Sequence, residues 1–218
     1  MRFLLLLILV VLPASAQNPV AGIPRRQLVP LEVMERARMA TQVLMDETVR
    51  GNFKVVVDRM HPEFVEAIAR PFGGPAKFKV DMLKMMNQMG GNGIAIQAGI
   101  TQAPDVAFEV DWGAQDVWEN GQPVLDADGK PKQEFAYRQW MVYVPTVMDV
   151  FIKSENGELE KWRKTSFQIA ISPKRIEDWT FIDGSTVTPI QLRKVFPFLP
   201  KDAGKLKFPE VGRQKILN

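Results

Sequence analysis

The 218-residue chain contains no cysteine and a single histidine, His61. The first absence removes disulfides, thiolate nucleophiles, thiolate-held metals and a lipid-modified cysteine anchor. The second leaves neither the usual multi-histidine metal site nor a Cys–His pair, and a Ser–His–Asp arrangement would rest on His61 alone. No Gly-rich phosphate loop stands at a strand–helix junction. Charge of one sign is also scarce: 28 Lys and Arg against 25 Asp and Glu leave +3, of which the first sixteen residues carry one Arg and no acid, so the remainder holds +2. So small and evenly spread an excess argues against a nucleic-acid surface. Beyond the first dozen residues no apolar run approaches the roughly 20 residues of a membrane-spanning helix.

What is present suits one domain with tails, since a 46% hydrophobic fraction is enough for a sizeable core. Met1 to Ala16 reads as a secretory signal, with Arg2 at its start, an apolar run from Phe3 to Leu12, and Ala14-Ser15-Ala16 as the small-residue cleavage pattern. Cutting is expected before Gln17 and export to the periplasm or beyond; an uncleaved anchor is the alternative. Residues 17–30, with Pro19, Pro24 and Pro30, read as a linker.

The spacing predicts a helix over 31–50, with Val33, Ala37, Ala40, Leu44 and Thr48 on one face and Gly51 as its stop. A second helix is expected over 52–60, burying Phe53, Val56, Val57 and Met60. Pro62 opens a short third piece carrying Phe64, Val65 and Ile68. Gly74 and Pro75 fit the N-cap and first position of another helix, on which Phe78, Met82, Met85, Met86 and Met89 form one stripe. That spacing is the spacing of a buried face, and methionine fills the irregular gaps a curved sheet leaves. Cu(I) binding is the other chemistry open to such a cluster.

From Ile94 onward the period becomes two, and strands are expected at 94–102, 106–112, 135–153, 160–172 and 176–183. Pro145 removes one ladder donor from the longest strand, which predicts a bulge or bend there. Asn120-Gly121, Asp128-Gly129 and Asn156-Gly157 are hairpin signals. Residues 113–134 read as a hairpin insertion. Within them 125–130 has the beginning of a calcium loop but lacks its closing acid, so a surface turn is expected. Beyond Pro200, Lys201, Lys205, Lys207, Arg213 and Lys215 read as a solvated basic tail over 201–218, or as an arm for an anionic envelope surface.

The most legible local structure is Trp179 to Pro200. A short strand breaks at Gly184, where positive φ is the natural expectation. Thr188 fits an N-cap, Pro189 the first helical position and Gln191 the third, completing a capping box. Val187 and Leu192 occupy the staple positions, and Pro197 ends the helix.

Trp179, Phe181-Ile182-Asp183-Gly184-Ser185, Thr188-Pro189, Leu192 and Phe196-Pro197, together with Gly51-Asn52-Phe53 leading to Met60-His61-Pro62, resemble a group of exported bacterial proteins in the nuclear transport factor 2-like superfamily. The likeness covers roughly Leu31 to Pro200. It implies an α+β cone, with N-terminal helices packed in the concave face of a curved antiparallel sheet and a short capped helix at the end. Superfamily members include isomerases, dehydratases, polyketide cyclases and protein-binding modules, so the fold alone assigns no activity.

Two functional readings compete, with a carrier of an apolar ligand in the cone as a third. The preferred one is a non-catalytic exported binding or interaction module with a concave pocket, taking a small molecule or a protein partner and needing no cofactor or metal. A homodimer through the sheet is the oligomer open to it. The other is a small cofactor-free enzyme doing proton transfer in the cone. Its base would be Asp149, on a strand whose Val147 and Phe151 share its face, aided by His61 and Tyr143. His61, preceding Pro62 at a helix junction, reads more simply as a capping or packing residue. Trp112 and Trp140 are candidates for the pocket rim.

Overall fold

Helices and strands segregate along the chain where the hydrophobic period changes. The computed structural model describes residues 28–201, 206 and 208–216; the predicted signal and most of the linker lie outside them. The helical part is α1 (Leu31–Val49), α2 (Phe53–Asp58), α3 (Pro62–Ile68) and α4 (Pro75–Asn87). Strands follow: β1 (Ile94–Thr101), β2 (Val106–Asp116), β3 (Trp118–Glu119), β4 (Gln122–Pro123), β5 (Gln133–Lys153), β6 (Leu159–Pro173) and β7 (Thr180–Asp183). α5 (Pro189–Val195) and β8 (Gly212–Lys215) close the chain. The class is α+β with a curved antiparallel sheet.

The 21-residue β5 is the spine of that sheet. On one edge its first half pairs with β2, from Asp116↔Gln133 to Val106↔Tyr143, and its second half with β1, from Thr101↔Thr146 to Ile94↔Ile152. On the other edge β6 runs beside it from Gln139↔Pro173 to Lys153↔Leu159. The outer edge of β6 is shared by β7 and β8. Pro145 falls where β2 hands over to β1. In an antiparallel ladder one residue's N–H and C=O point to the same side. The Pro145 carbonyl accepts from Gln102 N at 2.8 Å, so its missing N–H also faces the gap between β1 and β2. The expected bulge is therefore not at Pro145, where the β5–β6 register is unbroken. The irregularity lies in β1, between Ile96 and Ala98.

Met141 to Val144 are four consecutive buried residues, so both faces of the sheet must be covered. Val142 and Val144 pack with Ala170 and Phe181 beneath Val33, Ala37 and Leu44 of α1. Met141 and Tyr143, on the opposite face with Phe167, Ile169 and Ile171, pack with Phe64 of α3, Leu192 of α5 and Phe196. The helices are thus divided between the two faces, not gathered in one concavity as the sequence reading expects. α1 lies close enough to β1 that a Cβ on Gly99 would stand 2.7 Å from the Met45 Cε.

The capping box forms: Gln191 N donates to Thr188 Oγ1 at 3.3 Å and Thr188 N donates to Gln191 Oε1 at 2.8 Å. A lost cap of this type costs about 0.5–2 kcal/mol. Gly184 corrects its own expectation. Its φ is not left-handed; it is glycine because the Phe167 ring lies where a Cβ would be. Of the α4 stripe, Phe78 is buried with Val65 and Ala69, Met82, Met86 and Met89 are half-buried, and Met85 is 57% exposed. The stripe is only partly core, because α4 leans on the short α2 and α3 rather than on the broad sheet.

The insertion is a continuation of the β2–β5 ribbon, tipped by the β3–β4 hairpin. Asn120 (φ 51°) and Gly121 (φ 78°) supply the two left-handed residues that a type I′ turn requires. Asp126 Oδ1 accepts from the backbone N–H of Asp128 and of Lys130, both at 2.9 Å, and so organises the next turn. The basic tail is corrected too. Leu206 is buried in the α5-side core, Phe208 lies edge-on to Tyr143 at 5.5 Å and against Phe167 at 5.3 Å, and β8 pairs with Trp162–Thr165 of β6. Leu206 and Phe208, interspersed with the lysines in sequence, are the residues that reach back to the core.

Candidate functional site

α1, α2 and the chain entering β7 enclose a groove of about 340 Å³, lined by Ala40, Val43, Leu44, Val55, Trp179 and Phe181, with Arg59 and Glu177 as its polar groups. Ala40 and Leu44 are one helical turn apart and present a continuous strip. Trp179 and Phe181 are buried and form the floor, whereas Val43 is 60% exposed at the mouth. The ion pairs Arg36–Glu177, at 2.7 Å, and Arg59–Asp178 tie both helices to the loop that carries the floor.

The wall at the end of α2 is attached by backbone hydrogen bonds. Phe181 N donates to Arg59 O at 2.8 Å, and His61 N donates to Phe181 O at 2.9 Å. The His61 side chain adds to this attachment. Its Nδ1 lies 2.8 Å from Thr180 Oγ1, and that hydroxyl donates to Ile171 O at 3.2 Å. With its proton committed, Thr180 Oγ1 accepts, so Nδ1 carries the hydrogen and Nε2 is the unprotonated nitrogen. Nε2 is buried without a partner, and the ring packs 5.5 Å from Phe196. His61 caps no helix through its side chain. Burial pushes the imidazole pKa down to about 4, against an opposing pull from Asp111. Asp111 itself is held by Arg138 at 2.7 Å. Glu63, at the start of α3, has its pKa raised by burial first and by Asp111 second.

Asp149 does not join His61. Asp149 faces Arg163, which donates to it through Nε at 2.8 Å and Nη2 at 3.1 Å, while Lys161 stands 3.4 Å away. The hydrogen bonds from Arg163 lower its carboxyl pKa. Asp149 is thus a paired ion and not the free base that the proton-transfer reading requires. The antiparallel register is the reason, because it sets Asp149 directly opposite Arg163. Tyr143 is fully buried among Phe108, Phe167 and Phe208. Asp149 lies six residues further along β5, roughly 20 Å at the rise of an extended strand. Thr180, His61's partner, pairs with Ile171, eight residues along β6 from Arg163, so His61 and Asp149 are separated by still more.

Trp112 packs edge-on to Tyr137 at 5.0 Å, and Trp140 lies beneath the Lys174 ammonium at 4.2 Å, where Lys174 also pairs with the buried Glu109. Neither tryptophan lines the groove. A second, more polar cleft of about 420 Å³ lies between the β1–β2 connection, β5, β6 and Phe208–Glu210, with Asp105 and Glu210 on its walls. No group of three or more His, Asp or Glu is gathered as metal ligands among the described residues. No helix there is long and apolar enough to cross a membrane.

Sequence reasoning missed the groove residues Val43, Val55, Arg59 and Glu177. One signal was available: Val43 is an apolar residue off the buried stripe of α1. Comparison with protein-family models, with curated proteins and with solved structures finds no match to this chain.

Proposed function

We propose that the protein is an exported, non-catalytic binding module of the nuclear transport factor 2-like type, and that it receives a small apolar ligand in the groove between α1, α2 and β7. The observation that carries this reading is the groove itself: apolar walls from three elements, a buried aromatic floor, and a volume of about 340 Å³, near the lower end of the 300–1,000 Å³ usual for small-molecule sites. Arg59 and Glu177 at its mouth supply the few polar contacts that orient a ligand. The separation of Asp149 from both Tyr143 and His61 supports binding over proton transfer with Asp149 as base, since general acid–base catalysis needs its groups within hydrogen-bond reach of one substrate. The curved antiparallel sheet and the capped closing helix support the superfamily reading, and the Arg2, Phe3–Leu12 and Ala14-Ser15-Ala16 pattern supports export.

Trp179 in the floor is a built-in reporter. Titration with anilinonaphthalene sulfonate at neutral pH should change the tryptophan emission saturably. Val43→Glu, at an exposed position, should abolish that binding while leaving the unfolding midpoint nearly unchanged. Equal binding by wild type and Val43→Glu, or no binding by wild type, refutes the groove as the site.

A further inference from the structure

His61 stands at the junction of three parts of the fold, and nothing in the binding reading uses its side chain. Its backbone N–H holds Phe181, its carbonyl accepts from Val65 N to start α3, its Nδ1–H holds Thr180, and its ring packs on Phe196 beyond α5. Thr180 lies between Trp179 and Phe181, the two floor residues of the groove, and Arg59 of the wall lies two residues before His61. The imidazole therefore clips the wall to the floor.

We propose that His61 is an acid-sensitive clamp, which holds the α2–α3 junction on β7 while neutral and releases it, opening the groove, when Nε2 takes up a proton from solvent. This rests on the groove being the binding site. The physical reason is that Nε2 is buried and has no acceptor. The new N–H and its charge must be solvated, and that requires the ring to leave its slot and give up the bond to Thr180. Of the charged groups around the site, Asp111 of β2 acts on the ring directly, Arg138 of β5 is paired with Asp111, and Glu63 of α3 is itself raised by Asp111; from β7 and the segment after α5 the ring meets Thr180 and Phe196. Asp111 favours the imidazolium, yet its carboxylate is already engaged by Arg138, and burial outweighs it.

The size of the switch follows from linkage. The clamped imidazole titrates at about 4, and a released one titrates near its ordinary value of about 6.5. The released state binds more protons between these values, so the clamp is intact above about 6.5 and weakens as pH falls toward 4. Lowering the pH from 7 to 5 shifts the balance between clamped and released forms by on the order of 20-fold toward release.

As the only histidine, His61 gives a single imidazole resonance in the full chain. The expected result is an imidazole midpoint well below 6, with the Phe181 amide resonance and the tryptophan emission changing along the same titration curve and the far-ultraviolet dichroism retained. His61→Asn keeps a donor toward Thr180 and cannot titrate in this range, so those changes should vanish in it; Thr180→Val should move the wild-type midpoint upward. An imidazole titrating near 6.5, floor signals that ignore the imidazole, or loss of dichroism on the same curve (global unfolding) overturns the clamp. None of these readouts needs a ligand. A failure of anilinonaphthalene sulfonate to bind at neutral pH therefore refutes the groove separately, and the titration still decides the clamp.

Discussion

Replacing Gly184 with alanine would place a Cβ 2.2, 2.3 and 2.4 Å from the Cε2, Cδ2 and Cζ atoms of Phe167. Non-bonded carbons rest at about 3.5–4.0 Å, so the methyl overlaps the ring by more than 1 Å. The ring has no room to withdraw. Phe167 is fully buried, with Tyr143 at 5.8 Å and Phe208 at 5.3 Å between ring centroids. Overpacking of this kind costs about 1–3 kcal/mol. The sign of the effect is informative, because Gly184 is not in the left-handed region. A glycine that alanine can replace without strain would instead give about 0.4–1 kcal/mol of stabilisation through the unfolded chain. Phe167→Leu removes ring atoms and should cost about 1–3 kcal/mol by itself. In the double variant the alanine methyl enters the space the ring vacated, so the two costs should not add, and the coupling should be at least about 1 kcal/mol. Urea unfolding of the four proteins at one pH measures it. A stabilised Gly184→Ala protein, or additive costs, would falsify the argument that close approach rather than backbone conformation selects glycine here.

Two further outcomes are expected. Asp149→Asn should destabilise modestly at neutral pH, by less than about 1 kcal/mol because the pair with Arg163 is at the surface. The folded carboxyl pKa is lowered below the ordinary 3.8, so the contribution is complete above that value and is lost as pH falls through the folded one. Melts of both proteins should converge in acid, and an Asn variant more stable than wild type at pH 7 would reject the ion pair. Intact-mass analysis of the native protein should find Gln17 at its N-terminus; a retained Met1 would reject cleavage at Ala16.

The sequence alone determined the parts whose code is local. The 3.6-residue period places the first helix within a residue of its observed end, because a buried stripe repeats on each turn. Thr188, Pro189 and Gln191 specify a capping box among themselves, and Asn120-Gly121 specifies its turn by the φ values it tolerates. The tertiary structure alone decided what depends on residues distant along the chain. Asp149 is an acid on an apolar strand until the register with β6 sets Arg163 against it. Gly184 looks like a turn glycine until Phe167 arrives from the neighbouring strand. The segment after Pro200 looks like a loose basic tail until Leu206 and Phe208 meet a core whose open face no local pattern describes. The same holds for His61, whose partner Thr180 lies 119 residues away in the chain. Its burial, its tautomer and its lowered pKa come from surroundings that only the assembled sheet and helices create, because desolvation is a property of what packs around a group and not of its neighbours in sequence.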